Sequence, residues 1–158
     1  MDFFSTFLGK VITTFFISMV PVIELRGAIP AGVASGIGLW FSIVLSVIGN
    51  MIPVPFIIIF IRNIFEWLRK KSEKLNRLVT HFEEKADKHR ETVNKYKFWG
   101  LCILVAIPLP GTGAWTGALV AAMMEMRLKD ALPAIFLGVL IAAAIVAMVT
   151  CGVSFVFF

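Results

Sequence analysis

Long apolar runs, separated by two breaks rich in proline and glycine, dominate the pattern of this chain. Leu39–Ile61 and Ala131–Phe157 contain 23 and 27 residues without a charge. At a rise of about 1.5 Å per residue, each run is long enough to cross a hydrocarbon core of about 30 Å. Phe3–Val20, which contains Lys10, is barely long enough to cross, and Trp99–Ile107 is too short. The pattern therefore predicts two full transmembrane helices and two shorter apolar helices.

Each shorter run leads into a break that is followed by another short apolar stretch. The breaks are Pro21–Gly32 and Pro108–Gly117. Proline cannot donate the backbone hydrogen bond that a helix in lipid requires, so each break predicts the tip of a re-entrant hairpin that lines a cavity. The predicted hairpins are residues 3–38 and 98–126. Alternatively, the first break lies at the lipid–water boundary after a full span at residues 3–20, and the second is a packing turn.

A strongly charged segment, residues 62–97, separates the two apolar halves. It holds 11 of the 15 Lys and Arg residues. Apolar residues recur in it at near-helical spacing, which predicts one long amphipathic helix or a helical hairpin outside the lipid. Because Lys and Arg accumulate on the cytoplasmic side of membrane proteins, we expect this segment in the cytoplasm. It would lie on anionic lipid headgroups or pair with another protomer, and its interspersed acids argue against nucleic acid as a partner.

The predicted fold class is an all-α, multi-pass integral membrane protein of the cell membrane. The chain is 59% hydrophobic, against about 45–50% for soluble domains. The predicted domains are two inverted repeats, residues 1–61 and 98–158, joined by the cytoplasmic helix. Each repeat is a hairpin followed by a span, at 39–61 and 131–157. Tips that meet near the midplane from opposite faces are typical of secondary transporters.

The second break carries residues suited to binding an anion. Gly111 and Gly113 permit tight geometry with positive φ, and Thr112 or Thr116 is expected to cap the helix that follows. The free amide groups at that helix N-terminus favour phosphate or another anion, and Trp115 adds an apolar wall with one donor. The residues expected at the two tips are Pro21, Pro30, Pro108, Pro110, Gly111 and Gly113.

The first break adds a carboxylate and a guanidinium. An ionisable side chain at membrane depth costs about 2.5–3.5 kcal/mol to insert, which makes Glu24 and Arg26 candidate functional residues. In extended backbone both side chains face the same way. Either they neutralise each other, or an anionic substrate competes with Glu24 for Arg26. In the second case Glu24 takes up a proton as the anion binds, whereas a cationic substrate would bind to Glu24 itself.

The sequence predicts no enzyme, no metal site and no cofactor. It contains no nucleophile–base set, P-loop or dinucleotide fingerprint. Cys102 and Cys151 are expected to be small buried hydrophobic residues, and His81 and His89 are expected on a solvated helix face. Asn50, within the first span, is expected to form a hydrogen bond between helices.

The two breaks resemble motifs of a known family. ELRGAIP (Glu24–Pro30) and PLPGTGAWTG (Pro108–Gly117) are similar to segments of the small multidrug export proteins of bacteria and archaea, which resemble the DedA, or VTT-domain, membrane proteins. The resemblance implies paired re-entrant hairpins and a transporter. The DedA group is implicated in flipping polyprenyl-phosphate and other lipids with proton coupling, and its acidic position corresponds to Glu24. Its arginine near the second hairpin has no counterpart in Pro108–Gly117.

Three functional hypotheses follow. The first is a proton-coupled secondary transporter for a small amphipathic substrate such as an anionic polyprenyl-phosphate lipid. In this hypothesis Glu24 carries the proton, and the substrate binds to Arg26 and to Thr112, Trp115 and Thr116. The second is an exporter of lipophilic cations, and the third is a membrane scaffold without transport. We expect a homo-oligomer, most simply a dimer, because two spans barely shield two hairpins from lipid.

Overall fold

The chain folds into α-helices. The computed structural model describes residues 6–71, 73, 77, 90–109 and 111–157, and all regular secondary structure in these ranges is α-helical. The predicted all-α class is therefore confirmed for the described residues. The helices are α1 (Phe7–Met19), α2 (Glu24–Ala34), α3 (Leu39–Met51), α4 (Pro53–Lys71), α5 (Arg90–Ala106), α6 (Ala114–Met123) and α7 (Leu128–Phe157).

Two helical stretches in the described part of the chain are long and apolar enough to cross a membrane. The first, Leu39–Ile64, combines α3 with most of α4, and the second, Leu128–Gly152, lies in α7. Ile52 separates α3 from α4, and Pro53 begins α4, where its missing N–H leaves no helical hydrogen bond unmade. Large apolar side chains cover the outside of these stretches, as Trp40 and Phe56 show at 78% and 69% exposure. Such a surface is suited to lipid or to another apolar partner.

Three helices are too short to cross a hydrocarbon core. α1, α2 and α6 contain 13, 11 and 10 residues, so they are about 15–20 Å long at 1.5 Å per residue. α1 and α2 pack against each other and against α3, whereas α6 packs against α4, α5 and α7. α2 also contacts α7. The two short apolar regions thus lie within one packed structure.

Small residues let the helices approach closely. The buried residues of α6 are Ala and Gly (Ala114, Gly117, Ala118, Ala121 and Ala122). On α7, a Cβ at Gly138 would meet the backbone carbonyl of Cys102 and the side chain of Val105 on α5. Without a hydrophobic driving force between helices in lipid, such close backbone contact is a main source of association.

Several features differ from the sequence-based expectations. Pro30 lies inside α2 instead of in the loop before it; its missing N–H costs α2 one backbone hydrogen bond without ending the helix. α5 continues through residue 97 without a break, because the change from charged to apolar residues occurs within one helix. Cys102 is buried as predicted, but Cys151 is exposed. The middle of the predicted amphipathic helix, with His81 and His89, lies outside the described residues, and so does Pro110.

Gly138→Val is expected to force α5 and α7 apart, because the new side chain meets the Cys102 carbonyl and Val105. Overpacking of this kind costs about 1–3 kcal/mol, so the thermal unfolding midpoint in detergent should fall. Gly152→Val is the matched control, since no heavy atom lies within 4 Å of a Cβ at that position on the same helix. Equal losses for the two variants would contradict the close contact.

Candidate functional site

Two loops meet where the short helices end. The first loop, residues 20–23, joins α1 to α2, and the second loop, described at residues 107–109 and 111–113, joins α5 to α6. Three side chains connect them: Glu24 and Arg26 from the start of α2, and Trp115 from the start of α6. Residues about 90 positions apart in the chain therefore form one site.

Glu24 is buried at the first position of α2, with 4% of its surface exposed. Its carboxylate Oε1 accepts a hydrogen bond from the backbone N–H of Trp115 at 3.2 Å. Trp115 is the second residue of α6, where backbone N–H groups lack helical partners and the helix dipole favours negative charge. The carboxylate of one half of the chain thus caps a helix of the other half.

The expectation that Thr112 or Thr116 caps α6 is wrong. The N-cap residue is Gly113, and no side chain caps the helix from that position. The Thr112 hydroxyl is 2.6 Å from the carbonyl of Ile107, and the Thr116 hydroxyl donates to the carbonyl of Gly111 at 2.8 Å. Both hydroxyls stabilise the second loop internally, which leaves the α6 N-terminus open to Glu24.

Gly113 allows the carboxylate to reach this position. Its φ is 140°, in the region that favours glycine, and a Cβ there would overlap the carboxylate of Glu24. The backbone is also strained on the other side of this contact. Val22 in the first loop and Glu24 at the start of α2 have φ values of 78° and 47°, although neither is a glycine. Each such residue costs about 1–3 kcal/mol, so its surroundings must hold it in place.

Arg26 holds the second loop from the same helix. Its guanidinium donates to the carbonyls of Leu109 and Thr112, and Nη2 lies 3.0 Å from the hydroxyl of Thr112. A planar guanidinium presents several donors in a fixed arrangement, which suits the closely spaced oxygens of a loop. Arg26 therefore binds carbonyl groups of the second loop, whereas Glu24 binds an amide group at the start of α6, directly after that loop.

Trp115, in the second half of the chain, also binds the first half. Its indole Nε1–H donates to the carbonyl of Met19 at 3.1 Å. Met19 is the last residue of α1, where backbone carbonyls lack helical partners. The two halves therefore cap each other: Glu24 satisfies the start of α6, and Trp115 satisfies the end of α1.

The structure brings together Glu24, Arg26, Thr112 and Trp115, whereas Thr116 contacts the second loop only. Pro21 and Pro108 lie in the two loops next to the site. In the described residues, no cluster of three His, Cys, Asp or Glu side chains is placed to hold a metal ion.

Asn50 is a neighbour that sequence reasoning did not assign to the site. Its side chain lies beside the Glu24 carboxylate, yet neither polar atom of the amide forms a hydrogen bond to the described protein. The two side chains face each other across α2 and α3, which is the placement that the predicted hydrogen bond between helices requires, but their geometry is not that of a standard hydrogen bond. An amide within an uncharged span was the available signal, but only the antiparallel packing of α2 on α3 reveals its neighbour.

Comparison with known proteins adds one finding. The family described as "Putative small multi-drug export protein" matches residues 24–145, which begin at Glu24, directly after the first loop, and include the second loop. No curated protein matches the chain, and no solved structure does.

Gly113→Ala is expected to destabilise the protein in two ways, through an unfavourable φ and through overlap with the Glu24 carboxylate. The overlap disappears when Glu24→Ala is present, so the cost of Gly113→Ala should fall by about 1 kcal/mol or more in that background. Unfolding in detergent of the four variants of this cycle measures the difference.

Gly111→Ala is the control for the cycle. Gly111 also has a positive φ, of 85°, but no heavy atom lies within 4 Å of a Cβ there. Its cost should be the same with and without Glu24→Ala. A cost of Gly113→Ala that is equally unchanged would show that Glu24 does not occupy the start of α6.

Proposed function

Because the chain belongs to the putative small multi-drug export protein family, we propose that it is a small secondary transporter that moves an amphipathic anion, such as a polyprenyl-phosphate lipid, with the proton gradient. The observation that carries this proposal is the position of the Glu24 carboxylate on the N-terminus of α6. A helix N-terminus is a natural anion site, and here the protein fills it with an anion of its own. A substrate headgroup would replace that carboxylate.

Protonation of Glu24 would make this replacement possible. A neutral carboxylic acid has lost the charge that the α6 dipole stabilises. It can leave the Trp115 N–H, and the headgroup then binds to the exposed amide groups. Loss of the proton returns the carboxylate to α6 and expels the anion. One proton and one anion are thereby linked through competition for a single set of donors.

Arg26 would provide the second part of the headgroup site. Its guanidinium binds neutral carbonyl oxygens of the second loop, which leads directly into the N-terminus of α6. A phosphate is a stronger acceptor than a carbonyl for these donors, because both partners are then charged. The substrate would therefore draw Arg26 away from Leu109 and Thr112, which loosens the second loop while the anion is bound.

The proposed architecture is the inverted repeat, with hairpins α1–α2 and α5–α6 entering the membrane from opposite faces. The short helices and the hydrogen bonds between the two loops support it. In this arrangement the protein is a multi-pass protein of the cell membrane with residues 62–97 in the cytoplasm. The exposed apolar side chains of α3, among them Trp40 and Phe41, would face lipid or a second copy in a dimer.

The description of the family supports a second candidate, an exporter of lipophilic cations. Glu24 would then be the binding group, and Arg26 would balance its charge while no cation is bound. The two candidates differ in the sign of the substrate and in the consequence of removing Arg26, so one binding experiment separates them.

Arg26→Ala is expected to abolish retention of a polyprenyl phosphate in native mass spectrometry, when that lipid and a lipophilic cation are offered together. Loss of a hydrogen-bonded charge of this kind corresponds to roughly tenfold weaker binding or more. Arg127→Ala, which removes an exposed charge, is the control and should retain the lipid. Retention of the cation by the wild type, unaffected or improved by Arg26→Ala, would instead support the exporter.

Glu24→Gln is expected to leave lipid retention in place and to abolish the effect of a pH gradient on transport in proteoliposomes. Glutamine can still accept the hydrogen bond from α6 but cannot exchange a proton at neutral pH. Glu66→Gln, at an exposed position of α4, should keep the response. Transport by Glu24→Gln that still follows the pH gradient would show that another group carries the proton.

A further inference from the structure

The buried polar side chains of the described residues are concentrated in one place. They lie on α1, α2 and α3, whereas the other described helices contribute none. Apart from Glu24 they form a strip between these helices, here called the polar seam: Thr14, Ser18, Ser42, Ser46 and Asn50. A buried strip of polar side chains within a chain that is 59% hydrophobic is costly unless its groups are satisfied.

The seam follows one face of α3. Ser42, Ser46 and Asn50 are four residues apart, so they are stacked at intervals of about 6 Å along the helix. α2 runs antiparallel to α3, and Gly32 near the end of α2 lies against Ser42 near the start of α3. The opposite end of α2 carries Glu24, which lies beside Asn50. The seam therefore runs from the loop at residues 35–38 to the Glu24 carboxylate.

Hydrogen bonding along the seam is incomplete at the end next to Glu24. The Ser42 hydroxyl donates to the carbonyl of Gly38 at 2.8 Å, and the Ser18 hydroxyl donates to that of Phe15 at 2.6 Å. Ser46 Oγ and the amide of Asn50 form no hydrogen bond of standard geometry to the described protein, although both side chains are completely buried and Asn50 lies next to the Glu24 carboxylate. Buried polar groups almost always have a partner, either protein or ordered water.

The chemistry of these atoms selects the partner. Asn50 presents a donor and an acceptor, and Ser46 presents a hydroxyl that can be either. A metal cation satisfies acceptors only and would leave the amide N–H groups unpaired. Water satisfies both kinds, and two hydrogen bonds of about 2.8 Å through one water span the interval of about 6 Å between successive side chains.

We propose that ordered water molecules in the polar seam connect Ser42, Ser46 and Asn50, and that this chain carries protons between the membrane face at residues 35–38 and Glu24. The loop at that face includes Gly36 and Gly38, which are both exposed. The inference rests on the part of the proposed function in which Glu24 exchanges a proton, and it is independent of the identity of the substrate.

The charges around Glu24 suit a proton path better than an ion path. Arg26 is the charged neighbour of the carboxylate. Among the helices that pack against α2, α3 carries no ionisable side chain, and α1 carries Lys10 at the end away from the first loop. α7 carries Lys129 and Asp130 in its first turn. The seam itself is neutral throughout, so it offers no charge to attract a metal ion.

Solid-state NMR of the protein in bilayers tests for the water directly. Magnetisation transferred from water should reach the side-chain amide of Asn50 in the wild type, because water is its proposed partner. Leu and Val side chains buried between α5 and α7 provide the dry reference. The proposal would be overturned if the transfer to Asn50 were no larger than the transfer to that reference. It would also be overturned if added Na⁺ shifted the Asn50 signal and removed the transfer from water.

Infrared spectroscopy tests the proton path. The rate at which the Glu24 carboxyl exchanges hydrogen for deuterium is read from a band that Glu24→Gln removes. Asn50→Leu, close in size but without polar atoms, should slow this exchange by about tenfold, the effect of losing about one hydrogen bond. Asn50→Ser should recover much of the rate, because it restores a hydroxyl.

Thr13→Val is the control, since its hydroxyl is satisfied by the Gly9 carbonyl and lies outside the seam. Its exchange rate should equal that of the wild type. An unchanged rate in Asn50→Leu, or an equal loss in Thr13→Val, would overturn the path. Slow exchange in Asn50→Leu together with failure to retain any lipid would preserve the path and overturn the proposed substrate.

Discussion

A carboxylate and a guanidinium that leave water must find partners within the protein, and in this chain they find them in the backbone of the opposite half. Glu24 accepts a hydrogen bond from the start of α6, and Arg26 donates to the carbonyls of the second loop. The unsatisfied backbone groups at the ends of the short helices thus become the hydrogen-bonding partners of the buried Glu24 and the half-buried Arg26. Helices of 10 to 13 residues could not end within an apolar region without partners of this kind.

This reciprocity explains why the surrounding residues are small. The carboxylate reaches α6 because Gly113 has no side chain in its way, and α6 packs closely against its neighbours through Ala and Gly. Trp115 is the exception, and its size serves a purpose, since its indole spans the distance to the last carbonyl of α1. The packing of the helices and the chemistry of the site are therefore set by the same contacts.

Much of this arrangement could be predicted from the sequence, because its signals are local. Uncharged runs located the two long helices, and Pro and Gly located the loops between the short ones. Glu24 and Arg26 were identifiable as ionisable residues within apolar surroundings. The partner of Glu24 was not, because it lies 91 residues away and is a backbone N–H group that any residue could provide. Threonine near a helix start predicted a local cap because sequence patterns reveal only neighbours in the chain, and the packing of the two loops excludes that cap.

Pro30 was expected to lie in a loop because proline breaks isolated helices. In the structure it lies inside α2, which packs against neighbouring helices.

The positive φ angles of Val22 and Glu24 store strain in the backbone next to the Glu24 carboxylate. Their backbone conformation costs about 1–3 kcal/mol per residue, so its surroundings must hold it in place. One of these contacts is the hydrogen bond between the Glu24 carboxylate and α6. In the proposed transport cycle, release of the carboxylate would remove this contact and let the backbone return to an ordinary conformation. A change at one side chain would thereby become a movement of the chain itself.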